Sequence, residues 1–236
     1  MRVAEIWRYP VKSLQGERVS SSELTSEGVL GDRGYAIFDV ETGFGLTARR
    51  EAALLFASVR CVEGGVEITL PDASVARDDA ALSTWLGRSV TLRSNAEAVE
   101  RRYQNPEDFE HEDTSQWEAF DGARGSFRDT QASAVSLLST GTLGGWDRRR
   151  FRANILLEGS GEKELIGYPV LLGDARLTIL KGIGRCVMVT RPQPGGIEKD
   201  LDVLRSVHRD HNHTLAVGAS VDRAGMIEVG DELALA

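Results

Sequence analysis

A mainly β protein, barrel or sandwich, with a few short helices, is the fold this sequence predicts. Three observations lead there. Short runs rich in β-branched and aromatic residues recur along the whole chain. Turn residues punctuate them, 25 glycines among them. Helical signals are confined to residues 78–86, the vicinity of Thr140, and residues 200–208. At 236 residues the chain suits one large domain or two intertwined small ones.

In chain order, residues 3–9 alternate apolar and polar side chains and read as a strand ended by Pro10. Residues 35–40 form a second strand, turning at Glu41-Thr42-Gly43, with residues 45–49 as its expected return. Residues 56–62 and 66–70 make a hairpin through Glu63-Gly64-Gly65. A helix follows over residues 78–86, stopped by Gly87, and residues 89–93 return as a strand. From residue 95 the chain becomes charged and poor in β-branched residues, as in Asn105-Pro106-Glu107-Asp108. This acidic segment, 95–128, is expected as a loop-rich connection or a mobile flap between a domain at 1–94 and another at 129–236.

Beyond it, residues 134–138 and 151–158 read as strands. Residues 177–180 and 186–190 are expected as strands flanking a Gly182-Ile183-Gly184 bend. Leu201, Leu204 and Val207 give residues 200–208 a helical period. Residues 215–221 and 226–235 are expected as a closing hairpin. No repeat or low-complexity tract is present.

Composition narrows the function. A net charge of −8 argues against nucleic acid as a partner while leaving room for a local basic pocket. No apolar run approaches the ~20 residues of a membrane helix, and the N-terminus lacks a secretory signal, so a cytoplasmic protein without a membrane partner is expected. Two cysteines cannot by themselves ligate an iron–sulfur cluster, so any redox chemistry needs electrons from a separate chain. With 24 arginines and only four lysines, a lysine-dependent mechanism has few candidates.

The chemistry-bearing residues fall into clusters. Cys186 follows Arg185 after a glycine-rich bend; a neighbouring guanidinium favours thiolate, and a thiolate is both nucleophile and soft metal ligand. A small packed thiol is the competing reading, and it is the one adopted for mid-strand Cys61. Lys12 and Ser13 follow Pro10, and Arg33 lies between Gly31 and Gly34. In a strand, Arg150, Arg152 and Asn154 share one face, with Phe151, Ala153 and Ile155 opposite. Guanidinium forks suit phosphates and flat polar rings. His208, His211 and His213 have spacing that can hold zinc, but a solvated helix terminus is the better reading.

Together, Tyr9-Pro10-Val11-Lys12-Ser13, Gly28-Val29-Leu30-Gly31-Asp32-Arg33 and Leu46-Thr47-Ala48-Arg49 resemble the N-terminal β-barrel of MOSC proteins. Arg150-Phe151-Arg152-Ala153-Asn154, Arg185-Cys186 and Val229-Gly230-Asp231 resemble the MOSC domain, named for the C-terminal part of molybdenum-cofactor sulfurases. The resemblance implies an N-terminal β-barrel packed with a MOSC β-barrel and a molybdenum cofactor of the molybdopterin type. In the amidoxime-reducing branch the cysteine after the arginine ligates molybdenum, a role that falls on Cys186. Cofactor contacts map to Lys12, Ser13, Arg33, Arg152, Asn154 and Arg185, and to Asp129 and Thr130. The implied activity is reduction of N-hydroxylated or N-oxygenated small molecules with electrons from an external donor protein. The alternatives are sulfur transfer through a Cys186 persulfide and a non-catalytic cofactor carrier. The family is also linked to pyridoxal-phosphate sulfurases, but this chain is too short to carry a pyridoxal domain as well. Ala153 and Gly184 depart from the proline and serine frequent in relatives, and residues 95–128 find no match.

Overall fold

The computed structural model describes all 236 residues except 98, 99, 109, 110, 113 and 131. Its strands are β1 (Arg2–Arg8), β2 (Glu17–Val19), β3 (Ser21–Thr25), β4 (Gly28–Val29), β5 (Tyr35–Asp39), β6 (Ser58–Val62), β7 (Gly65–Thr69), β8 (Val75–Ala76), β9 (Val90–Ser94), β10 (Arg102–Pro106), β11 (Trp117–Asp121), β12 (Val135–Ser139), β13 (Ile155–Glu158), β14 (Pro169–Leu172), β15 (Ala175–Gly184), β16 (Thr214–Arg223), β17 (Gly225–Glu228) and β18 (Leu233–Leu235). Helices α1 (Asp79–Leu86), α2 (Thr140–Leu143) and α3 (Asp202–Asp210) complete a mainly β fold, as expected. No helix among the described residues is long and apolar enough to cross a membrane.

Eight strands form the principal sheet in the order β18-β14-β15-β16-β12-β13-β1-β2. Its inner face, with β3, β4 and β17, encloses one apolar core of the barrel type: Val3, Ile6, Leu24, Leu137, Ile155, Leu177, Val217 and Ile227 are all buried. Smaller sheets, β5-β9 and β6-β7-β8, pack with α1 around a second core containing Leu14, Ile37, Leu54 and Leu82. Alternation of buried and exposed residues along β3 follows directly from the two-residue period of a strand.

Local chemistry explains the elements the sequence places well. Asp78 caps α1 by accepting from the Ala81 amide at 2.9 Å, and Gly87, at φ 66°, ends it in the left-handed conformation. β6 and β7 form the expected hairpin.

Four expectations need correction. Residues 45–49 are not the return strand of β5; that partner is β9, and only a single bridge joins Phe38 to Gly45. Gly45 is a close-approach site instead, since a Cβ there would strike the Tyr103 ring. Residues 151–154 are not strand: Arg148–Arg150 form a 3-10 turn and Arg152 has φ 51°, so the strand begins at Ile155 and the proposed alternation of faces does not apply. Val187–Thr190 is likewise a 3-10 turn starting from Cys186. The expected closing hairpin is absent, because β16 pairs with β15 and β12, β17 with β3, and β18 with β14.

The acidic segment also holds more order than a loop-rich connection: β10 and β11 pair over five positions as a hairpin. The two halves of the chain interleave. β1 pairs antiparallel with β13, and β3 with β17, so strands from the first 25 residues join strands from the second half of the chain.

Gly28 marks one tight join. Its φ of 100° disfavours any side chain, and a Cβ would collide with the carbonyl oxygen of Ala134, just before β12. Gly28→Ala is therefore expected to destabilise the protein by more than about 1 kcal/mol, seen as a lower urea midpoint with an unchanged slope. A midpoint equal to wild type contradicts this close packing.

Candidate functional site

The loop after β1, the turn before β5, the segments entering β12 and β13, and the end of β15 surround a cleft of about 330 Å³. Lys12, Ser13, Arg33, Asp129, Thr130, Arg152, Asn154, Arg185 and Cys186 all line it, so residues scattered over more than 170 positions meet in one place. Arg150 does not join them. It is turned into the protein and donates to the carbonyl oxygens of Val189, Arg191 and Glu198.

The backbone that presents these side chains is strained. Ser13, Arg33 and Arg152 adopt φ values of 70°, 52° and 51°, a region non-glycine residues occupy at a cost and which clusters at functional sites. Each is held by its surroundings. Ser13 Oγ accepts from the Ala48 amide at 3.0 Å. The Arg33 carbonyl accepts from the Phe127 amide at 2.7 Å. Arg152 Nη1 donates to the Leu14 carbonyl at 2.5 Å.

The cleft is strongly cationic. Seven of its lining residues are Lys or Arg, against one carboxylate, Asp129. Lys12 is buried, donates to the Phe127 carbonyl at 3.0 Å and pairs with Asp129. Arg49 Nη2 pairs with the other Asp129 oxygen at 2.5 Å, and its Nε donates to Cys186 Sγ at 3.3 Å. Arg33 pairs with buried Asp32. Aromatic faces carry part of the remaining charge: Arg33 and Arg152 lie 5.0 and 4.2 Å from the centre of the Tyr9 ring.

These surroundings set the charge states. Burial pushes the Arg152 and Arg185 guanidinium groups down to about 10, and both remain charged at neutral pH. Burial also lowers the Lys12 ammonium, with Asp129 opposing. The Asp129 side chain is 47% exposed at the cleft, yet the protein around it acts to raise its carboxyl; Lys12 and Arg49 outweigh this and hold it well below the usual carboxylate range.

Among the described residues several buried donors have no partner: Arg49 Nη1, Arg152 Nη2 and Arg185 Nη2, together with the hydroxyls of Thr47 and Ser133. All five belong to residues lining the cleft. Buried orphan donors are costly, and this set fits an anionic, oxygen-rich ligand. A molybdopterin-type cofactor, with its phosphate and polar fused ring, meets that description. Cys186 offers a soft ligand atom at the same cleft, suited to a metal such as molybdenum.

Not every mapped residue is free to bind. Asn154 spends its amide on the Trp7 carbonyl and on Ser136, clamping β1 to β12, and Thr130 Oγ1 accepts from the Ala132 amide. Cys61 lies in β6 away from the cleft, and burial pushes its thiol up. The His208 and His213 rings lie tilted against each other, 4.4 Å apart, at the end of α3. Arg49 is the main residue missed as a site residue. The Leu46–Arg49 motif contained it, but only the fold brings its guanidinium to Cys186.

A family model of the MOSC N-terminal beta barrel domain matches residues 1–117, and a model of the MOSC domain matches residues 127–234. Mitochondrial amidoxime-reducing component 1 of Mus musculus is 25% identical over 288 aligned positions, covering 99% of this chain and 82% of that protein. Among solved structures, the YuaD protein of Bacillus subtilis aligns with a TM-score of 0.43 at 11% identity, covering 98% of this chain and 93% of its own. YiiM from Geobacillus stearothermophilus aligns with a TM-score of 0.37 at 14% identity, covering 58% of this chain and 73% of its own.

The depressed Asp129 carboxyl has a signed consequence. Its unfolded pKa is about 3.9, so the stability it contributes is complete above that pH and lost as pH falls through the lower folded value. Asp129→Asn is therefore expected to be less stable than wild type by a constant amount from about pH 5 to 8, with the gap narrowing in stronger acid. Urea denaturation at each pH reads this, and a gap unchanged into acid refutes the ion-pair assignment.

Proposed function

The chain belongs to the MOSC family, and from that premise we propose that it holds a molybdenum–molybdopterin cofactor in the cleft and reduces N-hydroxylated or related N-oxygenated compounds. The observation that carries this reading is the set of donors without a partner among the described residues, Arg49 Nη1, Arg152 Nη2 and Arg185 Nη2, on the cleft that Cys186 lines. The amidoxime-reducing relative supports the choice of substrate class.

Lys12, Arg33, Arg152 and Arg185 bind the anionic and polar parts of the cofactor, with Ser13 and Thr130 beside them. Asn154 acts indirectly, fixing β1 against β12 so that the Lys12 loop and the Arg152 turn keep their spacing. Cys186 provides the protein ligand to the metal. Arg49 donates to that sulfur, an arrangement suited to sulfur carrying negative charge. Asp129 stays ionised between Lys12 and Arg49, so it orients two cations rather than donating a proton. When bound, the cofactor supplies a redox-active metal able to take an oxygen atom from an N–O bond. Overall the N–O bond breaks, two electrons and two protons are taken up, and the oxygen leaves as water. The electrons come from a separate donor protein, since two cysteines cannot hold a cluster of their own.

Protein purified from a molybdenum-competent host tests the proposal by elemental analysis combined with turnover of an amidoxime under a chemical reductant. Molybdenum with turnover is the expected result. Molybdenum without turnover under any reductant makes the protein a carrier, and a persulfide on Cys186 without metal makes it a sulfur-transfer protein.

Cys186→Ala is expected to abolish turnover while leaving the melting temperature near wild type. Cys61→Ser is expected to cost about 1 kcal/mol in stability with little change in specific activity. Wild-type turnover by the Cys186 variant excludes it as the metal ligand.

A further inference from the structure

The β10–β11 hairpin brings three aromatic rings against Lys12 and Arg49, which line the cleft, and their neighbour Arg50. The Lys12 ammonium lies 4.6 Å from the centre of the Tyr103 ring. The Arg49 guanidinium lies 5.6 Å from Phe120, and Arg50 lies 4.3 Å from Trp117. Tyr103 and Phe120 pack on each other with centroids 5.6 Å apart, and neither lines the cleft.

The Tyr103 ring cannot shift. It is fully buried, wedged between Gly45 and Gly122; a Cβ at Gly122 would come within 2.5 Å of it, and one at Gly45 would collide. Its hydroxyl has no partner among the described residues, and the ring face is what it offers Lys12. The loop of the hairpin is also fastened. Glu112 pairs with Arg191, which donates to the Arg49 carbonyl at 2.8 Å. Arg191 in turn ends the 3-10 turn that begins at Cys186. One hairpin therefore touches both side chains that grip Asp129 and the segment carrying the sulfur.

We infer that this hairpin is the positioning element of the cleft, with Tyr103 fixing Lys12 and Phe120 fixing Arg49 through their ring faces. A ring face restrains a long cation without consuming its N–H donors. Asp129 already engages the Lys12 ammonium and Arg49 Nη2, and a second carboxylate in place of the rings would neutralise the pair further and occupy the remaining donors. Arg49 is thus ordered yet keeps Nη1 unpartnered. Ordering two long side chains before ligand arrives removes an entropic cost from binding. The link to cofactor retention rests on the proposed function of this cleft; the ordering of Arg49 does not.

Two readouts on the purified protein test this. The first is the rate at which bound molybdenum is lost on dialysis. Phe120→Leu is expected to release it about three- to tenfold faster than wild type, and Phe120→Tyr to restore the wild-type rate. Tyr103→Leu is expected to behave like Phe120→Leu, and Tyr103→Phe like wild type. Tyr103→Leu risks the fold because its ring is enclosed, so half-buried Phe120 carries the decision, with melting temperature as the control. The second readout is the Arg49 Nε–H signal in nitrogen-edited NMR, assigned through Arg49→Lys. It is expected sharp in wild type and in Phe120→Tyr, and broadened in Phe120→Leu. A folded Phe120→Leu protein with an unchanged Arg49 signal and unchanged release overturns the inference. A wild type that carries no molybdenum sinks the cofactor reading, and the arginine signal then decides the role of the hairpin alone.

Discussion

Desolvated positive charge gathered around a single carboxylate is the constraint on which the rest of this structure depends. Lys12 and Arg49 share Asp129, while Arg152 and Arg185 form no ion pair among the described residues. Like charges brought together out of water repel, and one carboxylate does not balance them. Around them the fold places aromatic faces: Tyr9 under Arg33 and Arg152, Tyr103 under Lys12, Phe120 under Arg49 and Phe151 under Arg185. Three left-handed backbone positions aim the side chains inward. The scaffold thus spends stability to hold a field that a bound anion would relieve.

Much of this was legible beforehand, for identifiable reasons. The ends of α1 are written in Asp78 and Gly87, and the β6–β7 hairpin in Gly64-Gly65 flanked by β-branched residues. Lys12, Arg33, Arg152, Arg185 and Cys186 could be singled out because charged side chains beside turns and a lone thiol after glycines stand out in any sequence. That they line one cleft supports reading them together.

What stayed hidden depends on distance or on strain. Periodicity cannot report a positive φ at Arg152, so residues 151–154 read as strand. Strand partners are chosen across the fold: β5 takes β9 rather than the nearer residues 45–49, since the space beside Gly45 belongs to Tyr103. The β10–β11 hairpin is polar along much of its length and pairs only with itself, so its sequence resembles a loop. Arg49 meets Cys186 across 137 positions, a contact no local pattern contains.

The pairing of β1 with β13 imposes an order of events on the molecule. β1 can find β2 nearby, but its other hydrogen-bonding partners, at 155–158, lie about 150 positions further along the chain. Until they are in place, that edge of β1 stays unpaired. Such long-range closure slows folding and favours concerted assembly over stepwise assembly. The cleft, lined by residues from Lys12 to Val189, therefore comes into existence only when segments from both halves of the fold have met.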